Sequence, residues 1–254
     1  MNFPSNTLEI LRSLVIRNLK VRYKGSVVGF FWTFLNPLLT TLILYIVFSY
    51  IVKIGIKGYP LFLLSALLPW GFFSASLGDA SRSLVDNAPL VKKAYFRREI
   101  LPISYVVSNF VNFLIGICVL LPLVIVLRPH VLTSIFCLPV VLAAHLLFTT
   151  GLALFLSCAN VYLRDVSHVT EISLMLWFYL TPVFYPVSMV PSRFHGLYML
   201  NPMASIITMY RNMLFDGIVP SAESLFGIAA VSAVLLSACY LIFRKYEPSL
   251  AKYI

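Results

Sequence analysis

The sequence predicts an all-α polytopic membrane protein with six transmembrane helices, and three observations carry that expectation. Of its 254 residues 60% are hydrophobic and only 11% charged, against roughly a half and a quarter in soluble domains. Several uncharged apolar runs reach the roughly 20 residues needed to cross a hydrocarbon core about 30 Å thick. The basic residues gather in alternate connections between those runs, as in chains that sort positive charge to one side of a membrane. A single transmembrane domain over residues 1–254 accounts for the whole chain.

The first element, residues 5–25, reads as an amphipathic helix. At about 100° per residue, Glu9, Arg12, Ser13, Arg17, Lys20 and Lys24 share one arc, and Leu8, Leu11, Leu14, Val15 and Leu19 the other. Such a helix lies in the cytoplasmic interface, or it is a plain positive anchor that sets topology, and the two roles are compatible. The spans are expected at residues 29–52, 60–78, 101–127, 131–162, 169–190 and 222–243. The first of these runs is too long for the short apolar core of a cleavable signal peptide, so it is expected to stay as the first span.

Six crossings put both termini on one side. Arg12, Arg17, Lys20, Arg22 and Lys24 precede the first span, and Arg82, Lys92, Lys93, Arg97 and Arg98 follow the second. Arg164 follows the fourth, and Arg244, Lys245 and Lys252 follow the sixth. That side holds fourteen of the nineteen basic residues, which assigns it to the cytoplasm. Lys53, Lys57, Arg128, Arg193 and Arg211 are left for the outer face. A net charge of +10 spread between apolar runs in this way points to lipid headgroups and protein partners rather than to nucleic acid.

Residues 81–98 are too polar for lipid and carry Pro89 with the basic cluster Lys92, Lys93, Arg97 and Arg98. They read as a helix-turn platform in the cytoplasm, which either receives force from a soluble partner or is a solvated loop holding topology charge. Residues 191–221 contain a short apolar piece broken by Asn201 and Pro202, better suited to a re-entrant outer hairpin than to a seventh crossing. A further crossing would also carry Arg244, Lys245 and Lys252 to the wrong side.

The chemistry is as informative in what it omits. There is no GxxxxGK[ST] phosphate loop, no HExxH pair and no GxSxG elbow. Asp79, Asp86, Glu99, Asp165, Glu171, Asp216 and Glu223 fall at span ends or in loops, without a catalytic cluster, which disfavours a membrane-bound transferase and an ion-coupled carrier alike. His145 alone lies mid-span and is expected to be a hydrogen-bonded packing residue. Cys118, Cys137, Cys158 and Cys239 lie in apolar runs without metal or disulfide spacing. No cofactor or metal is expected in this chain. Polarity within the spans comes from Asn36 beside Pro37, from Asn109, Asn112, Thr149 and Thr150, and from Thr181 beside Pro182. Such groups either glue helices or line a polar path. Aromatic residues reach 15% and cluster around Trp32, around Trp70 and Phe73, and around Trp177, Tyr179 and Tyr185. Flat rings suit a conduit for sugars, although lipid-facing packing explains any single ring equally well.

The run RYKGSVVGFFWTFLNP, from Arg22 to Pro37, resembles the opening segment of ABC type-2 export permeases, in particular the O-antigen and teichoic-acid polysaccharide exporters. PLVKKAYFRREILP, NVYLRDV, LTPVFYP and LNPMASIITMYR follow in the family's order across nearly the whole chain. The resemblance implies a bacterial inner-membrane subunit, two copies of which pair with two ATP-binding cassette subunits. ATP and magnesium would sit on those partners. The cargo would be a lipid-linked polysaccharide on an undecaprenyl-type carrier; a teichoic acid, a capsular polymer or a small drug or lipid is the alternative within the class, and an ion-driven flippase the alternative outside it. Residues 5–25 would be the interface helix. Pro89, Leu90, Lys92, Lys93, Arg97 and Arg98 would couple to the ATPase, with Arg164 and Asp165 as a second contact. Trp32, Asn36, Trp70, Phe73, Trp177, Tyr179 and Tyr185 would line the path, and Asn201, Pro202, Tyr210 and Arg211 would belong to a periplasmic gate.

Overall fold

A computed structural model describes residues 6–23, 31–93 and 97–253. Parts of two expected motifs, residues 24–30 and 94–96, lie outside the described residues. Among those described the fold is helical throughout, with no strand.

The amphipathic segment forms α1, Asn6–Tyr23, with Glu9 in its first turn and Lys20 and Arg22 in its last, an order that suits the helix dipole. The first span is α2, Trp32–Tyr45, which widens into a π-helical stretch over Ile46–Ile51. A turn with Lys53, Gly55 and Gly58 at positive φ leads into α3, Tyr59–Asp86. This helix runs well past the expected end at residue 78, because Asp79, Arg82 and Asp86 find polar partners or solvent at its end. The platform expected over residues 81–98 is thus in part the last two turns of α3, followed by the short α4, Ala88–Lys93. α5, Ile100–Leu127, is the third span, and α6, Leu138–Tyr162, entered through short 3-10 turns, is the fourth.

The fifth expected span departs from expectation. α7, Val166–Tyr179, has 14 residues, and the chain leaves helix at Leu180. At 1.5 Å per residue α7 is about 21 Å long, short of a hydrocarbon core. Thr181 and Pro182 explain the break, since proline has no N–H to continue the ladder and clashes with the preceding turn. The segment that follows folds into 3-10 turns, the short α8, His195–Met199, and α9, Pro202–Arg211, continued by a π-helical turn over Asn212–Asp216. Met203, Ile206, Ile207, Tyr210, Met213 and Leu214 are fully buried, so this hairpin packs into the bundle rather than over it. α10, Ala222–Tyr253, extends ten residues beyond the expected span. Among the described residues five helices are long and apolar enough to cross a membrane: Phe34–Ile51, Tyr59–Asp86, Ile100–Leu127, Ile135–Tyr162 and Ala222–Leu250.

α3 is the axis of the bundle. Of its apolar window 72% is buried, against 6% in Phe34–Ile51 and 17% in α10, so the latter two are peripheral. Around α3 pack α5, α6, α7 and α9, sharing a core that includes Leu63, Phe73, Val106, Val124 and Ile207. A smaller core of Leu14, Leu84, Val91, Leu101, Leu154, Phe243 and Leu250 joins α1, α4 and the adjacent ends of α3, α5, α6 and α10. This second core lies under the residues that carry most of the positive charge, which defines a basic end; the hairpin lies at the opposite end. α6 and α10 approach closely at Gly151, where a Cβ would stand 3.0 Å from the Leu236 Cα. Small residues allow this backbone-to-backbone approach in apolar surroundings.

Candidate functional site

Three regions of the fold hold the residues singled out from the sequence. At the basic end, α1 leans on α5 and the end of α3. Arg17 donates to Asn87 at 3.0 Å and Asn18 to Ser104 at 3.1 Å. Pro89, Leu90 and Lys92 are exposed on α4 while Val91 is buried beneath them, so a single apolar anchor holds an otherwise open helix. Arg164 and Asp165 are exposed in the turn between α6 and α7. The backbone of Lys93 closes α4. Arg98 departs from expectation: it is turned inward, donating to the Glu247 carbonyl at 2.6 Å, with its backbone N–H facing Glu247 Oε1 at 3.3 Å. Arg97 lies 3.8 Å from Glu99, which is only 5% exposed although its carboxylate also faces Arg244 at 4.0 Å. Burial, with the neighbouring Glu247, lifts the Glu99 pKa above the usual carboxylate range, and the two arginines oppose that rise.

Toward the bilayer from this end, an open cavity of about 380 Å³ lies between α2, α3 and α5, lined by Arg22, Trp32, Asn36, Gly71, Asn109 and Asn112 among others. A neighbouring cavity of about 460 Å³ shares Arg22 and opens toward Asp86 and Asn87. Arg22 pairs with Asp79 at 2.6 Å, and Asn109 donates to the same carboxylate oxygen at 2.9 Å. Asp79 thus ties α1 to α3 and α5. Trp32 is 48% exposed and Asn36 is exposed, so two path residues of the sequence reading sit together at this cavity.

The remaining path residues are elsewhere. Trp70 is 7% exposed and Phe73 fully buried. Phe73 packs its ring against Phe148 at 5.9 Å and Trp177 at 5.2 Å, and Trp70 packs against Phe178 at 5.5 Å. Within one protomer these two rings are core, and they support α7 from behind. Tyr179 is exposed, and Trp177 and Tyr185 are half-buried.

The opposite end centres on Asn201. Its side-chain oxygen accepts from Trp177 Nε1 at 2.8 Å and from the Met203 N–H at 3.0 Å, which caps α9. Its amide donates to the Leu180 carbonyl and the Thr181 hydroxyl, both at 3.2 Å. All four bonding positions of one carboxamide are used, and they join the end of α7 to the start of α9. Pro202 occupies the first turn of α9, where its missing N–H costs nothing. Tyr210 is fully buried, ringed by Phe113 and His145. Arg211, 4% exposed, donates to the Val183 carbonyl at 3.0 Å and the Tyr185 carbonyl at 3.4 Å over the Phe62 ring, 3.6 Å away. Tyr198 donates to Tyr185, and that hydroxyl to the Tyr179 carbonyl. Beside them lies an open cavity of about 730 Å³, lined by Trp177, Tyr185, Phe194, Tyr198 and Asn201 among others. Asp216, at the end of the hairpin, has its pKa raised by burial and held down by Arg211, Arg128 and His130.

Several polar residues have local roles. Thr149, Thr150 and Thr181 bond to carbonyls one turn back on their own helices. His145 is packed by the rings of Phe72, Phe73, Phe113 and Tyr210, and neither of its nitrogens reaches a described protein partner, contrary to the expected hydrogen bond. The cysteines are free, and no described group of His, Cys, Asp and Glu could hold a metal. Two features escaped sequence reasoning. The Arg22–Asp79–Asn109 link was hidden because Asp79 looked like the polar end of a span. The Glu99–Arg244–Glu247 cluster joins residues nearly 150 positions apart, and its sole local trace is the i, i+3 pair Arg244–Glu247 at 2.7 Å.

A bundle of long apolar helices around one buried axis, with a basic face at one end and a packed hairpin at the other, defines a multi-pass membrane protein. The chain belongs to the ABC-2 type transporter family, whose sequence profile it matches over residues 9–215. It is 38% identical over 245 residues to the O-antigen export system permease protein RfbA of Myxococcus xanthus, covering 96% of this chain and 94% of that one. A Klebsiella pneumoniae protein of the same name is 34% identical over 83% of this chain and 82% of its own length. The polysialic acid transport protein KpsM of Escherichia coli is 20% identical over 94% of both chains.

Proposed function

We propose that this chain is the permease subunit of an ATP-driven exporter in the bacterial inner membrane, moving a lipid-linked, O-antigen-like polysaccharide from cytoplasm to periplasm. The observation that carries this reading is similarity to two O-antigen export permeases, over 96% and 83% of this chain, in a chain that belongs to the ABC-2 family. Two copies would pair with two ATP-binding cassette subunits, which bind ATP and magnesium and hydrolyse the nucleotide. The charge distribution supports cytoplasmic termini, since the basic end collects α1, α4 and the end of α10.

In this reading Pro89, Leu90 and Lys92 on α4, with Arg164 and Asp165, meet the ATP-binding subunit, because they are exposed at the basic end. Lys93 and Arg97 belong to the same segment. The lipid carrier enters near the Arg22 cavity, where a cation stands beside apolar walls. Sugar units then pass along Trp32 and Asn36 and leave beside Trp177, Tyr179 and Tyr185. Trp70 and Phe73 hold these rings in place. Asn201, Pro202, Tyr210 and Arg211 fix the outer hairpin as the periplasmic gate.

Affinity purification of the tagged chain from native membranes in mild detergent, followed by partner identification and an ATPase assay, tests the assembly. A stoichiometric ATP-binding subunit with ATPase activity is expected. An intact chain recovered alone and inert would overturn the reading and favour an ion-driven flippase. Substrate class is tested separately by deleting the gene and looking for loss of surface polysaccharide with lipid-linked polymer retained inside.

A further inference from the structure

α10 has 32 residues, about 48 Å of helix, and roughly 20 residues suffice to cross a bilayer. Its last ten residues therefore stand clear of the hydrocarbon at the basic end, yet Leu250 there is fully buried. Two sets of contacts hold this extension. On one side, Glu247 accepts from Arg98 through both its carboxylate and its carbonyl, and from Arg244 at 2.7 Å, while Arg244 also faces the buried Glu99. On the other side, the Tyr162 and Ser249 hydroxyls are 2.6 Å apart, and the Tyr162 ring packs on Tyr246 and Tyr253 with centroids 5.8 and 4.8 Å away. Arg98 closes the segment that follows α4, and Tyr162 stands two residues before Arg164. One continuous helix thus grips both segments that the proposed function assigns to contact with the ATPase.

We propose that residues 244–253 form a crossbar that makes these two segments and the last span a single mechanical unit, so that closure of the ATP-binding subunits displaces α10 directly. The inference rests on the permease reading above. Glu247 and Ser249 are positioning residues in it: neither is among the residues assigned to meet the ATPase, and each fixes a group that leads into one contact. Single polar contacts near a surface are individually modest, but here they act on a helix continuous with a span. That span interlocks with α6 at Gly151. A push carried by Arg98 or Tyr162 therefore reaches the membrane span through α10 itself.

The test uses the complex with its ATP-binding subunit, comparing wild type with the variant Tyr162→Phe, Glu247→Ala, Ser249→Ala. Polysaccharide translocated into inverted inner-membrane vesicles carrying their own lipid-linked polymer is measured per ATP hydrolysed. Assembly and ATPase activity are expected to persist while translocation per ATP falls roughly tenfold, the size of an ordinary coupling free energy. Unchanged translocation per ATP overturns the crossbar. If the variant fails to assemble, spin labels at Asp86→Cys and Leu163→Cys, in a complex whose permease otherwise lacks cysteine, decide the matter. Their separation is expected to be the same without nucleotide and with ATP bound, and a change in it overturns the proposal. A wild-type chain with no ATPase partner would overturn the permease reading itself, a result distinct from either.

Discussion

The guanidinium of Arg211 has left water, and two carbonyls with the Phe62 ring compensate it. Lysine keeps the charge but not the planar fork that reaches both carbonyls or the stacking on the ring. Arg211→Lys is therefore expected to lower stability by about 1–3 kcal/mol, and Arg211→Ala by more, read as thermal unfolding in detergent. An equal unfolding temperature for the lysine variant would show that the forked geometry contributes nothing. Glu99 gives a second prediction. Its folded pKa is raised, so the folded state holds the proton more tightly than the unfolded chain. Stability from this group is present below the unfolded value and lost as pH rises through the raised one. Glu99→Gln is expected to flatten that decline, and an unchanged slope would place the titration elsewhere. The groups that face Glu99 are Arg97, Arg244 and Glu247, and the last two come from a helix that no local pattern connects to residue 99.

At the scale of elements, the long helices were legible because a run of apolar residues of sufficient length has few other solutions in lipid. Their ends were less so. α3 outran its expected limit because Asp79 and Arg82 find partners, Asp79 with Arg22 and Asn109 and Arg82 with Glu171 on α7, so polarity did not mark the end of the helix. α7 stopped early, and the Thr181–Pro182 pair was visible but read as a mid-span perturbation rather than a terminus. The candidate site was legible in part: Asn201 and Pro202 were singled out as a break, whereas the four bonds of the Asn201 amide depend on tertiary packing. Helix pairing yields its own prediction. In Gly151→Val the added methyl groups would meet the Leu236 backbone rather than a movable side chain. Separation of α6 from α10 is expected to cost about 1–3 kcal/mol, measured as a lower unfolding temperature; no loss would mean that the pair yields freely. Gly217, at φ +69°, is held twice over, since a Cβ would also stand 2.4 Å from His130.

Across the whole molecule, burial is uneven. α3 is enclosed, whereas α7 exposes Val169, Ile172, Met175, Leu176 and Tyr179 along its length. The carbonyls of its unwound end are taken up by Asn201 and Arg211, so what α7 leaves bare is this apolar stripe, and a second copy of the chain is proposed to cover it. A cysteine replacing Tyr179 in a cysteine-free background is expected to give a disulfide-linked dimer on oxidation in native membranes. A wholly monomeric product would place this face toward lipid. The tight union of α6 with α10 also bears on how the protein is made. Helices emerge from the ribosome in order, and early parts settle first, but the groove at Gly151 waits for Leu236, 85 residues downstream. Until α10 is made, the nascent chain carries an unfilled seam, and that one helix then seals the bundle and fastens the segments at the basic end. Synthesis of α10 is thereby the event that closes the bundle, and a chain cut short before residue 222 would present that open seam to membrane quality control.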